Sequence, residues 1–395
     1  MILAHKIALD PNETQRIYFA KAAATARFAW NWALAEWQQQ YQAGERPSET
    51  ALRRQLNAIK REQFRWMLEV TKVAPQQAIK NLGAAFKRFF AHEAKYPRFK
   101  KKGIHDSFRA DNGAETVAFD GKRIRIPVVG WVKMCQSLRF VGKLRSVTVS
   151  RVADRWFASV CVELEYRVPV RENQAAVGVD LGVKALATLS DGRAIDGPKA
   201  LRSSLRRLKR VSRSLSRKLR GSANRRKAAA RLARLHKRIS GIRQDAPHKL
   251  TTDLCRRFSA IGIEDLNVRG MLRNDRLARA IADCGFGEFR RQLAYKAAMH
   301  GCQIVVADRW YPSSKTCSQC GCVADDMPLS VRQWRCGECG AGHDRDINAA
   351  RNLERLAASS AVTVCGAEGS GRRPAPSVKP AAMKQEPVDG LFVHA

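Results

Sequence analysis

Two pairs of cysteines near the end of the chain constrain its fold more than any other feature of the sequence. Cys317 and Cys320 form one Cys-x2-Cys pair, and Cys336 and Cys339 form the other, with 15 residues between the pairs. Each pair offers two thiolates from one turn, and two such turns close a tetrahedron of sulfur ligands around zinc. The spacing therefore predicts a structural Zn²⁺ ribbon over residues 313–343.

The remaining cysteines do not indicate a disulfide framework. Cys322 lies between the two pairs and is predicted to be a spare thiol. Most of the others are isolated in apolar stretches: Cys135, Cys161, Cys255, Cys284 and Cys302. In a reducing cytosol this pattern is typical of a metal site together with buried thiols.

The chain carries a large excess of positive charge. It has 395 residues, with 72 Lys+Arg against 36 Asp+Glu, which gives a formal net charge of +36. Such an excess repels itself in the folded state and favours a polyanionic partner. The sequence has no run of 18 apolar residues, no signal peptide and no basic amphipathic helix with an aromatic face. We therefore expect a soluble, cytoplasmic protein that binds nucleic acid and not a membrane.

The first part of the chain, residues 1–170, is predicted to be a small β-barrel with an inserted helical bundle. Helical patterns cover about residues 10–110, including helices that begin near Pro11, at Ser48 and at Pro75. Residues 114–167 change to short alternating strands, with a hairpin turn at Asp120-Gly121. Several short strands joined by polar turns favour a barrel.

Aromatic and cationic side chains alternate at the end of the helical part, at Tyr96, Arg98, Phe99 and Lys100. Such a segment suits phosphate contacts combined with stacking on bases or sugars. A solvated basic loop accounts for these residues equally well. On these residues alone, both interpretations stay open.

A second domain is predicted over residues 171–357. Between apolar strands at 176–183 and 260–267, the stretch from Lys199 to Lys249 contains 19 Lys/Arg and one acid. Apolar residues at helical spacing predict an antiparallel helical hairpin over 199–249. Its one-sided charge favours nucleic-acid contacts over a plain solvated surface. The candidate contact residues are Arg206, Arg207, Lys209, Arg210, Arg217, Lys218, Arg225 and Arg226.

Three acids lie at element boundaries of this domain. Asp180 and Glu264 end apolar strands, and Asp346 begins the final helix. Taken singly, each is more often a cap or a strand-end acid than a catalyst. Together they can converge on two divalent metals, and carboxylates with water suit Mg²⁺ or Mn²⁺. Asp180 lies among apolar residues, so its charge calls for a partner.

Taken together, these stretches resemble the TnpB/OrfB family of insertion-sequence transposons, which is related to the type V CRISPR effector nucleases. The resemblance extends from about Leu9 to Leu356. The matching stretches are Arg27-Phe28-Ala29-Trp30-Asn31-Trp32-Ala33-Leu34, Tyr96-Pro97-Arg98-Phe99-Lys100, Gly178-Val179-Asp180-Leu181-Gly182-Val183, Ile263-Glu264-Asp265-Leu266, Cys317–Cys339 and Asp344-Arg345-Asp346-Ile347-Asn348-Ala349-Ala350.

The resemblance implies an α+β multidomain protein. Its N-terminal β-barrel would carry inserted helices, and its RuvC-like RNase H fold would carry helical-hairpin and zinc-ribbon insertions. The matching catalytic acids are Asp180, Glu264 and Asp346, with Asp344 the weaker candidate for the third position. Residues 358–395 lie beyond the resemblance and are predicted to form a disordered tail.

The resemblance also implies an RNA-guided, divalent-metal-dependent DNA endonuclease encoded by a transposon. It would cut target DNA next to a short adjacent motif, using a guide RNA from the transposon end. The protein would hold the guide–target duplex by its backbone in a basic channel formed by the hairpin and the N-terminal basic segments. In a prokaryotic cell it would be cytoplasmic and nucleoid-associated, with a separate transposase of the same element as a further candidate partner.

Two other functions are compatible with the sequence. A transposase acting directly on transposon DNA ends would use the same acids but would not need a tightly bound RNA. A non-catalytic nucleic-acid-binding regulator of transposition would need neither the acids nor the divalent metal. The intact set of three acids favours the enzymes over the regulator.

Overall fold

The structure is a computed structural model that describes residues 1–111, 116–165, 168–169, 171, 175–328 and 330–365. These residues form two compact units, one within Met1–Tyr166 and the other within Arg167–Arg373. Both units combine helices with sheet, so the chain is of the α+β class. No helix among the described residues is long and apolar enough to cross a membrane.

The first unit contains the helices that the sequence predicts. They are α1 (Glu13–Gln42), α2 (Glu49–Gln63), a short 3₁₀ helix (Arg65–Glu69) and α3 (Val73–Phe90). Asn12 caps α1 through a capping box, because its side chain accepts from the backbone N–H of Gln15 and the Gln15 side chain accepts in return. Helix α2 begins after Ser48 as predicted, and its last turn carries cations, which the helix dipole favours.

The described strands of the first unit form one antiparallel sheet in the order β2-β6-β7-β1-β5-β4-β3. The predicted hairpin at Asp120-Gly121 is confirmed, with Gly121 at a φ of +53°. Hydrogen bonds within the described residues do not join the outer strands β2 and β3, so closure into a barrel stays a prediction. The bounds are β1 (Ile2–Asp10), β2 (Ser107–Asp111), β3 (Ala118–Asp120), β4 (Arg123–Ile126), β5 (Gly130–Met134), β6 (Lys143–Val152) and β7 (Arg155–Glu163).

Helices and sheet share one apolar core in this unit. Phe19 of α1 is fully buried and packs against Phe108 of β2 and Trp156 of β7, with ring centroids 5.8 and 5.3 Å apart. Trp37 of α1 stacks on Phe86 of α3 at 4.1 Å. Buried aromatic area of this kind dominates core energetics, so it fixes α1 and α3 on the sheet.

The second unit is built on a sheet in the order β10-β9-β8-β11-β12. Its strands are β8 (Ala176–Asp180), β9 (Ala187–Leu189), β10 (Ala194–Ile195), β11 (Ala260–Glu264) and β12 (Gln303–Ala307). Strands β8, β11 and β12 run parallel, with Ile263 opposite Val179 and Glu264 opposite Ala307. Parallel strands in this register end at one common edge of the sheet, so Asp180 and Glu264 lie on neighbouring strands at that edge.

The remaining elements of this unit flank the sheet or follow it. Their bounds are α4 (Ala200–Ser216), α5 (Ala223–Arg257), α6 (Val268–Met271), α7 (Ala278–Cys284), α8 (Phe286–His300), β13 (Gln333–Arg335), β14 (Gly342–Asp344) and α9 (Arg345–Cys365). The predicted hairpin is present as α4 and α5.

Two predicted helix ends fall short of the observed ones. Helix α5 continues through Pro247 to Arg257, because its last turns bury Leu250 and Leu254 in the main core. Helix α9 continues to Cys365, so residues 358–365 of the predicted tail are helical, whereas 366–395 lie outside the described residues.

Two glycines bring α9 directly onto the backbones of the central strands. A β-carbon on Gly178 of β8 would overlap the carbonyl oxygen of Ala350, and one on Gly262 of β11 would overlap that of Leu353. Only a residue without a side chain allows this approach. Since α9 begins with Arg345 and Asp346, the contact fixes where those residues lie relative to the strand ends.

We expect Gly262→Ala to lower the free energy of unfolding by at least about 1–3 kcal/mol, because α9 must move off the sheet. The matched control is Gly241→Ala in α5, where a β-carbon meets open space. That change should raise the free energy of unfolding by about 0.5–1 kcal/mol through helix propensity. Urea denaturation followed by circular dichroism measures both, and a neutral Gly262→Ala would contradict the packing argument.

Candidate functional site

The three predicted acids lie near one another at the common end of the central strands. Asp180 is the last residue of β8, Glu264 is the last of β11, and Asp346 lies in the first turn of α9. Glu264 and Asp346 act electrostatically on Asp180. We call this place, defined by Asp180, Glu264 and Asp346, the carboxylate edge.

Asp180 is the acid whose ionisation is most perturbed at this edge. Burial, followed by repulsion from Glu264 and from Asp346, raises the pKa of Asp180 from its ordinary 3.8 to about 8, although Arg345 and Arg332 oppose the rise. A carboxyl group held among other carboxylates favours the neutral form until a cation joins it. Strongly perturbed carboxylates of this kind cluster at functional sites.

Asp346 forms an ion pair with Arg332, whose Nη1 lies 3.2 Å from Oδ1 and 3.5 Å from Oδ2. Its neighbour Asp344 has a different task. The Asp344 Oδ1 accepts from the backbone N–H groups of Asp346 and Ile347 at 3.0 and 3.1 Å, which makes Asp344 the cap of α9. The two candidates for the third position therefore have different contacts. Asp346 raises the pKa of Asp180 by repulsion, whereas Asp344 caps the helix.

Glu264 is held by Ser313, a buried residue whose hydroxyl donates to Oε1 of the carboxylate. The next residue, Asp265, accepts from Arg290 at 2.6 Å and from Arg309 at 2.7 Å. The hydrogen bond from Arg290, together with that from Arg309, holds the pKa of Asp265 below its ordinary value despite some burial. The end of β11 is therefore tied to the segment that follows β12.

The predicted zinc ligands come together. The sulfur atoms of Cys317, Cys320, Cys336 and Cys339 all lie within 4.8 Å of one another. Gly321 and Gly340 close the two turns at φ values of +82° and +68°, each donating its N–H to the carbonyl of the first cysteine of its pair. Four thiolates gathered in this way fit a structural zinc ion.

His343 is a neighbour of the sulfur cluster that the spacing of the cysteines did not reveal. It is buried, its Nε2 lies 3.1 Å from Sγ of Cys317, and its ring lies 4.8 Å from that of Trp334. Burial opposes ionisation of Cys317, but hydrogen bonds from the backbone N–H groups of Cys320 and Gln319 and from His343 lower its pKa to about 5. The thiolate that zinc requires is favoured.

Among the described residues, the cysteines are the one group of three or more His, Cys, Asp or Glu ligands gathered around a common point. The three carboxylates are near enough to perturb Asp180 but are not gathered in that way. Asp346 pairs with Arg332, Glu264 accepts from Ser313, and both acids repel the Asp180 anion. As hard oxygen donors, the three acids are the ligand type that Mg²⁺ or Mn²⁺ takes.

Two buried asparagines of α9 attach the ribbon to the helix. Asn348 accepts from the N–H of Ser318 at 2.9 Å and donates to the carbonyl of Thr316 at 2.7 Å. Asn352 donates to the carbonyls of Ser313 and Thr316 at 2.8 and 2.6 Å. The first cysteine turn is therefore hydrogen-bonded to the helix that carries Asp346.

The aromatic and basic segment of the first unit is partly occupied by internal contacts. The Lys100 ammonium lies 4.0 Å from the Trp30 ring centroid, and loss of hydration there lowers the pKa of Lys100. The backbone N–H and carbonyl of Lys100 form hydrogen bonds with the Asn31 side chain. Tyr96 packs edge-on against two phenylalanines of α3. All four residues are exposed, but the internal contacts engage Lys100 and Tyr96, so Phe99 and Arg98 remain the better candidates for nucleic-acid contacts.

The predicted hairpin contacts divide in the same manner. The Arg225 guanidinium donates to the carbonyls of Leu215 and Lys218, so it clamps the turn between α4 and α5. The other predicted cations are exposed: Arg206, Arg207, Lys209, Arg210, Arg217, Lys218 and Arg226.

The base of the hairpin is anchored by Asp283 of α7, which the sequence analysis did not single out. This buried carboxylate accepts from the N–H groups of Leu201 and Arg202 at the start of α4, at 2.8 and 2.9 Å. It also accepts from Arg243 of α5 at 2.9 Å. A buried charge satisfied from both helices fixes the hairpin on the second unit.

Comparisons with known proteins agree with this arrangement. Residues 159–275 match a family model described as "Probable transposase" (OrfB_IS605), and residues 1–46 match its helix-turn-helix domain. Residues 286–353 match a "Cas12f1-like, TNB domain". This last range contains the ribbon and the start of α9.

Full-length relatives decide the family. A "Putative RNA-guided DNA endonuclease" from Streptomyces pristinaespiralis is 42% identical over 337 residues, covering 83% of this chain and 81% of the relative. The Escherichia coli (strain K12) protein InsQ, which carries the same description, is 35% identical over 99% of both chains. The chain belongs to the OrfB/TnpB family.

A solved structure described as CasPhi-2 (Cas12j) bound to crRNA matches 91% of this OrfB/TnpB chain and 98% of its own, at 10% identity. The TM-score of 0.42 is too low to establish a shared fold.

We expect Cys336→Ser to remove bound zinc from this OrfB/TnpB protein and to lower its Tm by at least about 5 °C, because the site closes only with four thiolates. The matched control is Cys322→Ser, since Cys322 lies in the ribbon but outside the sulfur cluster. Zinc content by plasma mass spectrometry and Tm by calorimetry check both. Full zinc content in Cys336→Ser would contradict the assignment of ligands.

We also expect Asp180 to make stability depend on pH. Its folded-state pKa of about 8 exceeds the ordinary 3.8, so between these values the folded state binds more protons than the unfolded state. The free energy of unfolding should therefore fall as pH rises through this range. In urea titrations without added magnesium or manganese, Asp180→Asn should show a flatter decline than wild type. Equal slopes would show that Asp180 ionises normally.

Proposed function

We propose that this protein is an RNA-guided, divalent-metal-dependent DNA endonuclease encoded by a transposon. The observation that carries the proposal is the carboxylate edge, where a partly buried Asp180 is destabilised as an anion by Glu264 and Asp346. Both relatives reported above are described as RNA-guided DNA endonucleases, and the family model concerns transposon proteins. A guide RNA from the transposon end would direct the cut to target DNA next to a short motif.

Asp180, Glu264 and Asp346 would hold the divalent ions, Mg²⁺ or Mn²⁺. When bound, such ions activate water and stabilise the leaving oxygen of a phosphodiester. The chain's own residues prepare this site: Ser313 orients Glu264, and Arg332 holds Asp346. A buried hydroxyl and a guanidinium in these places keep the carboxylates from turning away.

We assign the second domain, residues 171–357, to a RuvC-like nuclease domain with a hairpin and a zinc ribbon inserted. Acids at the ends of neighbouring parallel strands, with a third at the start of a helix packed on them, support this assignment. Residues 1–170 would form the barrel with inserted helices that recognises nucleic acid. Their exposed Arg98 and Phe99 are candidates for that contact.

The exposed cations of α4 and the start of α5 would bind the phosphates of guide RNA and target DNA. Phosphate contacts of this type supply affinity without reading sequence. The anchoring of α4 and α5 by Asp283 supports the proposal, since it presents the cations on a fixed element. In bacteria such a protein would act in the cytoplasm, at the nucleoid.

A second candidate function is direct transposition, which the family description "Probable transposase" favours. It would use the same carboxylate edge on the ends of transposon DNA. The two candidates differ in their need for RNA. We expect RNA from the gene's flanking region to co-purify with the protein, and ribonuclease treatment of the purified protein to abolish its cleavage of DNA. Cleavage that is indifferent to ribonuclease would favour the transposase.

We expect Asp346→Asn to reduce DNA cleavage by at least about 10³-fold, because loss of one metal-binding carboxylate removes charge that the ions need. The matched control is Asp344→Asn two residues earlier, which keeps the helix cap because asparagine caps as well as aspartate. Its cleavage should stay within about threefold of wild type. Single-turnover assays with the guide RNA measure both, and RNA binding shows that each variant is folded. Equal losses would contradict the roles assigned to the two acids.

A further inference from the structure

Trp310 lies three residues after β12, at the same end of the sheet as the carboxylate edge. Its side chain is 86% exposed, far more than the other exposed tryptophans, Trp66 and Trp131, at 43% and 42%. Single exposed apolar residues are common and need no explanation. An indole is the largest apolar side chain, however, and at this position its surroundings point to a ligand.

The turn that carries Trp310 is held on one side by Asp265 and on the other by Glu264 of the carboxylate edge. Before it, Arg309 pairs with Asp265, the residue that follows Glu264. After it, Ser313 donates to Glu264 itself. Within the turn, the backbone N–H of Trp310 donates to Oδ1 of Asp308 at 2.8 Å. The exposed indole is therefore mounted on a fixed backbone beside Glu264.

Cationic side chains lie beside this turn. Two half-exposed guanidiniums, Arg290 and Arg309, pair with Asp265, and Asp308 of the turn brings the summed charge of these four groups to zero. An aromatic face next to guanidinium groups combines base stacking with hydrogen bonds to a phosphate. This is how proteins bind single strands, since every base has a π-face and every linkage has a charge.

We propose that Trp310 stacks on a base of the single-stranded DNA substrate and so positions the neighbouring phosphodiester at the carboxylate edge. The proposal rests on the proposed nuclease function. Bases in a duplex are already stacked on each other, so the indole takes only a base that has left the helix. Trp310 is thus a substrate-positioning residue and not one that takes part in bond breaking.

The test compares Trp310→Ala with Trp310→Phe in the full chain with its guide RNA. Stacking on one aromatic residue corresponds to about 5- to 150-fold in affinity. We expect Trp310→Ala to lower the single-turnover cleavage rate at subsaturating DNA by about this factor, with the saturated rate less affected. Trp310→Phe should keep most of the rate. The matched control is Leu277→Ala, which removes another exposed apolar side chain, 48% exposed, from the start of α7 in the second unit.

A second readout does not depend on cleavage. In the Asp180→Ala background, 2-aminopurine is placed at successive positions of the target strand, where stacking on an indole quenches its fluorescence. One position should be quenched with Trp310 and recover with Trp310→Ala. Unchanged fluorescence, equal losses in both Trp310 variants, or a dimer that only Trp310→Ala disrupts would each overturn the proposal. Wild-type cleavage by Asp180→Ala alone would instead overturn the nuclease site itself, and the stacking proposal with it.

Discussion

The second unit depends on the close contact between α9 and the backbones of β8 and β11. At Gly178 and Gly262 the backbone of α9 occupies the space that a β-carbon would need, so contacts between main-chain atoms set the distance of the helix from the sheet. A helix held in this way cannot slide or rotate without a clash, because packed backbone has no rotamers to adjust. That rigidity places Asp346 beside the ends of the two strands.

Gathering carboxylates at one place costs electrostatic free energy, and the surrounding residues reduce that cost. Arg332 pairs with Asp346 and Ser313 donates to Glu264, whereas burial and repulsion raise the pKa of Asp180 to about 8, so that a bound proton neutralises it. The remaining repulsion is the property that a divalent cation relieves on binding. The chain has a net charge of +36, so composition alone does not reveal that the carboxylate edge is locally acidic.

The sequence was enough to predict elements whose signal is local. The cysteine spacing predicted the sulfur cluster, and the apolar patterns predicted that Asp180 and Glu264 end strands. The residues that hold these groups were missed, because Ser313, His343 and Asn348 act through partners distant along the chain. The same holds for helix ends: α5 extends beyond its basic stretch since its last turns pack in a core assembled from several elements. Exposure could not be predicted either, so Trp310 was not distinguished from buried aromatics.

The ribbon and the carboxylate edge are linked by one continuous segment. From β12 the chain passes Trp310 and Ser313, forms the two cysteine turns, and enters α9 at Asp346. Asn348 and Asn352 bond back to the start of that same segment, which closes it into a loop fixed at both ends. A loop of this length would be mobile without an internal core, and four thiolates on a zinc ion would replace that core in a small module. Structural zinc would thus act on the proposed chemistry through backbone geometry.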